Sequence, residues 1–469
     1  MKGGGRAPEP PREGRTALAP TEAAPGVEPS AVEPFDVAAL QVAARGHLRS
    51  LSDEQRRALL ERGRRADPSV VETVRGLLAE VRSRGDRALR ELARRFDRVE
   101  LASLEVPRGR WDEALAALDP AVRRALERAA SNIEVFHRAQ VPAPVIVETE
   151  PGVRLTRRFA PLERVGVYAP GGRAAYPSSV LMGVVAARAA GVSEVIVCSP
   201  PGPEGEPPVA VLAALAIAGA DRLFALGGAG AVAAMAFGTE SVPRCDAVVG
   251  PGNRWVDEAK RQVAGEVLID APAGPSEVLV VAEEGADPGR VAAELVAQAE
   301  HDPDAAVVLV TTSPELLAAV EEALARQVAA APRRDTVLAA LATRGALLLA
   351  DDLDQALAFA RAYAPEHLAL YTGDPAGDLA AVPTAGTVFL GEASAVAFGD
   401  YLTGANHVLP TAGASRSWSG LSALTFLRSW TVQEVTPEAA RALAGDAGTL
   451  AEAEGLPAHA AAARLRGSD

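Results

Sequence analysis

The chain has 469 residues, 48% hydrophobic and 23% charged, the balance of a globular protein too long for one core. Lys plus Arg number 47 against 61 Asp plus Glu, a formal charge of −14, which argues against nucleic acid or anionic membrane as the main partner. No apolar run reaches the roughly 18 residues of a membrane helix, and two cysteines, Cys198 and Cys245, make neither a disulfide framework nor a thiolate metal site.

Residues 1–34 are rich in Pro, Gly, Ala and Glu. They lack the apolar segment of a secretory signal and carry acids that a transit peptide avoids. They read as a disordered arm on a cytoplasmic protein. Residues 35–150 read as a helical segment, from the period of stretches such as "DPSVVETVRGLLAEVRSRGDRALRELARRFD". From residue 164 the texture changes to short β-rich runs alternating with Ala-rich helical runs. Strands are predicted at 164–170, 194–200, 222–228 and 247–252, and in a second set at 276–283, 305–313, 345–351, 367–373 and 386–391. Alternation of this kind predicts an α/β fold with parallel sheets covered by helices on both faces. Two sets give two such domains, 151–272 and 273–395, with residues 396–469 returning to loop and helix. Cys198 falls inside the apolar run "EVIVCSPP" and reads as a buried, inert thiol; Cys245, at a strand entrance, receives no role.

"LGGAGAVAAMAFG" places Gly228, Gly230 and Ala233 in a G-x-G-x-x-A pattern between a strand and a helix. The acid that should follow the second strand is not well placed, Asp246 being the nearest. In an Ala-rich chain, a tight turn with close helix packing explains the glycines equally well. The number of glycine loops after strands says more: 168–179, 226–232 and 250–256. Together they would present Tyr168, Gly230 and Asn253 to one crevice, with backbone N–H groups at helix starts facing the phosphates of a nucleotide.

There are six histidines, few enough to read singly. "AQAEHD" closes a predicted helix with Gln298 and His301, three apart and so on one face. An ordinary helix end carries Gly or Asn past it and Lys or Arg in its last turn. "AYAPEHLAL" sets Glu366 beside His367 just before a strand, two bases of different pKa suited to two proton transfers, or else a surface charge pair. "FGDYLTGANHVLPT" holds Asp400 and His407, and "AEAEGLPAHAAAARLRG" holds Glu454 and His459. Gln298, His301, Asp400 and His459 are donors of the kind zinc accepts, but their spacing alone does not bring them together.

In order along the chain, "RVGVYAPGG", "AFGTESVPRCDAVVGPGN", "AKRQVAGEV", "IDAPAGPSEVLV", "QAEHDPDA", "YAPEHL", "GDYLTGANHVLPT" and "EGLPAH" resemble the histidinol dehydrogenase family, from about residue 40 to 465. The resemblance implies a zinc enzyme that oxidises L-histidinol through L-histidinaldehyde to L-histidine with two NAD⁺, the last steps of histidine biosynthesis. It implies two Rossmann-like domains with helical N- and C-terminal segments, in a homodimer whose active sites use both chains. Carried over by motif, the zinc ligands are Gln298, His301, Asp400 and His459, and the catalytic bases are Glu366 and His367. Substrate contacts are Ser276, Gln298, His301, His367, Asp400, Glu454 and His459, and the NAD contacts are Tyr168, Gly230 and Asn253. His137 and His407 match family motifs without an assigned role, and His47 reads as surface.

The sequence departs from the family at Gly230, which replaces a cofactor-binding Gln and puts NAD affinity in doubt, and at Ala271, which replaces a usual Met. The N-terminal arm has no counterpart. Two other readings stay open: a related dehydrogenase of another small alcohol, such as a sulfonated propanediol, or a zinc-binding paralogue without catalysis.

Overall fold

The structure is a computed structural model that describes residues 40–62, 67–171 and 175–467. The predicted arm at 1–34 lies outside the described residues. In chain order the strands are β1 (Ala44–His47), β2 (Val145–Glu150), β3 (Val153–Pro161), β4 (Arg164–Tyr168), β5 (Glu194–Ser199), β6 (Arg222–Ala225), β7 (Ala247–Val249), β8 (Leu268–Ile269), β9 (Glu277–Ala282), β10 (Ala306–Thr311), β11 (Gly345–Leu349), β12 (His367–Tyr371), β13 (Thr387–Leu390) and β14 (Leu427–Val435). Every strand predicted from the sequence is present, and the run predicted at 222–228 ends earlier because a helix begins at Gly228.

Two parallel sheets share one topology. The first runs β6-β5-β4-β7-β8, and the second runs β11-β10-β9-β12-β13 with β1 added beside β11. In each set the first strand in the chain lies in the middle, and the chain then builds outward on one side before crossing to the other. The crossing points lie between β4 and β7 and between β9 and β12, the places where loops diverge and leave a crevice.

The strands read as apolar runs because both faces are covered. Side chains alternate across the second sheet: Val278, Val280, Val307 and Leu309 enter one core, whereas Leu279, Val281, Val308 and Val310 enter another on the opposite face. The first sheet shares its core with the N-terminal helices, including Val74, Leu89 and Trp111.

A third sheet, antiparallel in the order β14-β3-β2, joins the C-terminal region to the segment before β4. This sheet, β1 and the two-residue β8 were not expected from sequence. β2 is exposed along its whole length, so no burial alternation marks it. β1 is four residues, Ala-Arg-Gly-His, with no apolar run.

Candidate active site

Both sheets turn an edge toward one cavity of about 540 Å³, a size suited to a small molecule. The first sheet supplies its carboxyl edge. Tyr168 ends β4, and Gly252, Asn253 and Arg254 follow β7. Helices Pro177–Ala190 and Arg254–Val263 start here, so the cavity meets their N-termini, where unpaired N–H groups and the helix dipole favour negative charge.

The glycine-loop backbone is held closely. Gly250 has φ +118°, and a Cβ there would stand 2.1 Å from the Tyr168 carbonyl oxygen, so no other residue fits. The buried Lys260 Nζ donates to the Gly250 carbonyl at 3.0 Å and pairs with Asp270 at 2.5 Å, and Asp270 accepts the Gly250 N–H at 2.7 Å. Asn253 caps its helix, accepting from Trp255 N at 3.0 Å and Val256 N at 3.3 Å. The Tyr168 hydroxyl accepts the Gly228 N–H at 3.1 Å, and burial pushes its pKa up to about 12, so it keeps its proton.

Gly230 is not among the lining residues. It is buried in helix Gly228–Phe237, where a Cβ would meet Leu92 Cδ1 at 3.0 Å and Leu89 Cδ2 at 3.6 Å. Here the glycine lets two helices approach. An acid does stand near this turn: Asp97 Oδ1 lies 3.5 Å from where a Gly227 Cβ would be, and burial pushes its pKa up to about 6. It comes from the N-terminal helical segment, so spacing along the Rossmann pattern could not find it.

The second sheet supplies its amino edge instead. Ser276 precedes β9, and Glu366 and His367 stand at the start of β12. Helix Pro288–Ala299 runs back to this edge, so Gln298 in its last turn and His301 just beyond it both line the cavity. No basic residue stands in that last turn, and the negative end of the helix faces the site. Helix Leu353–Tyr363 ends nearby, and Ala364 takes φ +51° to turn the chain into Pro365 and Glu366. A non-glycine residue in that region costs roughly 1–2 kcal/mol, a strain spent where the two bases are delivered.

The bases are locked by β9. Glu366 Oε2 accepts the Glu277 N–H at 2.7 Å, and His367 Nδ1 lies 2.9 Å from the Glu277 carbonyl oxygen. A carbonyl only accepts, so Nδ1 carries the proton and Nε2 is the atom left to exchange one. Nε2 is buried, has no hydrogen-bond partner among the described residues and lies 3.5 Å from Asp400 Oδ1. Burial alone would lower the His367 pKa, but Glu366, at 3.4 Å, and Asp400 outweigh it and raise it well above the ordinary value. Burial raises Glu366, with the His367 charge and the Glu277 N–H opposing. Burial likewise would raise Asp400, but its contacts with His367 win and lower it. Burial lowers His301 and favours its neutral form.

His407 lines the same cavity. Its Nδ1 donates to the Asp400 carbonyl at 2.9 Å, leaving Nε2 to accept from Ser179 Oγ at 3.3 Å, so it braces the backbone of Asp400. His137 is fully buried away from the site, its Nδ1 donating to the Ile133 carbonyl at 2.9 Å. His47 sits on β1, 3.9 Å from Asp351. Cys198 and Cys245 are buried free thiols, raised by desolvation and outside the cavity.

Two expected site residues are elsewhere. Glu454 ends helix Pro437–Ala453 and His459 lies in helix Pro457–Arg464; both are exposed and neither lines the cavity. Among the described residues no three His, Cys, Asp or Glu side chains cluster as a metal site. Within one chain the cavity therefore offers an ionised Asp400, a neutral His301 and the Gln298 amide. These donors suit zinc in type.

A family model described as histidinol dehydrogenase matches residues 60–467. The histidinol dehydrogenase of Methanothermobacter thermautotrophicus is 48% identical over 408 residues, covering 87% of this chain and 96% of that one. That of Xanthomonas axonopodis pv. citri is 48% identical over 397 residues, covering 84% and 92%. A crystal structure of histidinol dehydrogenase from Elizabethkingia anophelis superposes with a TM-score of 0.86 at 34% identity, covering 91% of this chain and 98% of that one.

Proposed function

The chain belongs to the histidinol dehydrogenase family, and from that premise we propose that it carries L-histidinol through L-histidinaldehyde to L-histidine in the cytoplasm, with zinc at the site and two NAD⁺ used per product. The observation that carries the reading is one cavity in which Glu366, His367, Gln298, His301 and Asp400 face the glycine loops around Tyr168 and Asn253. When bound by Gln298, His301, Asp400 and His459, zinc would fix the amino-alcohol through its amine and imidazole. Tyr168 and Asn253 on the carboxyl edge would hold NAD⁺, which would supply the hydride acceptor.

His367 takes the hydroxyl proton at Nε2 in the first oxidation. Its raised pKa would by itself favour the protonated ring, the wrong state for a base. With Asp400 engaged as a ligand, one of the two groups that raise it would be withdrawn, which would move the ring toward its neutral state. Glu366, moved upward by burial, is suited to activate water on the aldehyde for the second oxidation. Ser276, at the edge where Glu366 and His367 are buried, would help to keep the aldehyde in place between the steps. Neither cysteine is placed to act as a nucleophile.

His459 and Glu454 of a second copy would complete the site in a homodimer, Glu454 meeting the substrate ammonium. The exposed apolar residues of β2 and the C-terminal helices, among them Val145, Ile146 and Leu450, support such a partner, since surface of this kind marks interaction sites. A sulfonated alcohol is disfavoured by the carboxylates of Glu366 and Asp400 at the substrate end. A non-catalytic paralogue is disfavoured by the intact, locked base pair.

The test is to measure the two half-reactions separately. His367→Ala should slow oxidation of histidinol most, and Glu366→Gln should chiefly slow oxidation of added histidinaldehyde, each by roughly 10²–10⁴-fold. Equal loss of both steps in both variants would remove the division of labour.

A further inference from the structure

Glu277 is buried, and so is the guanidinium that neutralises it. Arg62 Nε and Nη2 each donate to one Glu277 carboxylate oxygen at 2.7 Å, a bidentate pair. Arg62 Nη1 also donates to the Tyr363 carbonyl at 3.0 Å and the Leu59 carbonyl at 3.2 Å, and the guanidinium lies 3.3 Å over the Tyr363 ring. Glu277 Oε1 further accepts the Ala412 N–H at 3.0 Å. The pair thus ties together the end of helix Asp53–Leu60, the start of β9, the end of helix Leu353–Tyr363 and the loop after His407.

A buried ion pair is weak as a stabiliser, since apolar residues of similar volume hold such a place as well or better. What distinguishes this one is its position. The peptide groups of Glu277 are the hydrogen-bond partners of both Glu366 and His367. The Glu277 backbone therefore meets both bases, while its side chain is held by Arg62.

We infer that Arg62 and Glu277 are positioning residues for the reaction: the ion pair clamps the first residue of β9, and that residue's N–H and C=O orient Glu366 and His367 toward the substrate. The inference rests on the reading of Glu366 and His367 as the two bases. Neither Arg62 nor the Glu277 carboxylate is among the lining residues, so both act through other groups.

The experiment compares Glu277→Gln, Arg62→Lys and the double variant Arg62→Met/Glu277→Gln in the holoenzyme, with kcat and KM for histidinol expressed per folded molecule and a thermal melt for each. The double variant removes both charges yet leaves an oxygen for the Ala412 N–H, so it can fold without the pair. Clamping predicts a kcat lowered about 10- to 100-fold in Glu277→Gln and the double variant, the scale of a misplaced reacting group. KM should stay within about two-fold, and Arg62→Lys should retain more kcat than the double variant. A kcat within about two-fold of the parent in the double variant would overturn the inference and leave the pair a purely structural feature. If the double variant does not fold, Glu277→Gln carries the same test, and an unchanged kcat there overturns it. Full activity in Glu366→Gln and His367→Ala would instead show that the reading of the bases had failed.

Discussion

The two parallel sheets have the same strand order but meet the cavity by opposite edges. The carboxyl edge of the first brings helix N-termini, glycine turns and backbone N–H groups. The amino edge of the second brings helix C-termini, carboxylates and imidazoles. The helix ends differ in sign, roughly +0.5 charge at one and −0.5 at the other. One wall therefore suits the anionic phosphates of a dinucleotide, and the other suits a metal ion and a cationic substrate. Each wall also has a buried ion pair behind it: Lys260–Asp270 holds the Gly250 backbone, and Arg62–Glu277 holds the residue that orients the bases. A repeated topology has been given two chemistries by the choice of edge.

That contrast is broken most severely at the amino edge. His301→Ala and His459→Ala should each remove zinc and lower activity by more than about 100-fold, beyond the 10- to 100-fold typical of losing a group behind a ligand, with the fold intact by circular dichroism. Stoichiometric metal in both variants would show that the donors had been misassigned. Because His459 lies outside the cavity of its own chain, mixing His459→Ala subunits with His367→Ala subunits should restore activity through hybrid sites. No recovery would contradict a shared site.

At the carboxyl edge the largest effect should fall on stability. Lys260→Met leaves Asp270 buried without its partner and should cost about 3–5 kcal/mol in a urea melt; a loss under about 1 kcal/mol would mean that water reaches the site. Smaller still, Gly230→Gln should cost about 1–2 kcal/mol by overpacking against Leu92. Adding Leu92→Ala should recover part of that cost. If Gly230→Gln instead leaves the melt unchanged and lowers KM for NAD⁺, the side chain clears Leu92 and reaches the cofactor.

Much of this division could be read from the sequence. Strands covered on both faces appear as apolar runs, so β4 to β7 and β9 to β13 were predicted within a few residues. β2, exposed on both faces, has an apolar run of only three residues, Val145–Val147, before Glu148, Thr149 and Glu150, and β1, with its single apolar residue, carries no such signal. At the site, Gln298 with His301 and Glu366 with His367 are local pairs at a helix end and a strand start, and their patterns stand out. The Arg62–Glu277 pair spans 215 residues, and nothing local sets Arg62 apart from other arginines. Nor does the sequence tell which helix face meets Leu92, so it gives no sign that Gly230 packs between helices. The edge by which the second sheet meets the cavity is likewise a tertiary fact: loops at both ends of its strands carry polar residues.

The most direct test of an enzyme built from these two walls is the amount of NADH formed per histidinol consumed, followed to completion with purified protein. The account predicts a ratio near two, because the aldehyde is held at the amino edge while a second NAD⁺ occupies the carboxyl edge. A ratio near one, with histidinaldehyde accumulating in solution, would contradict it.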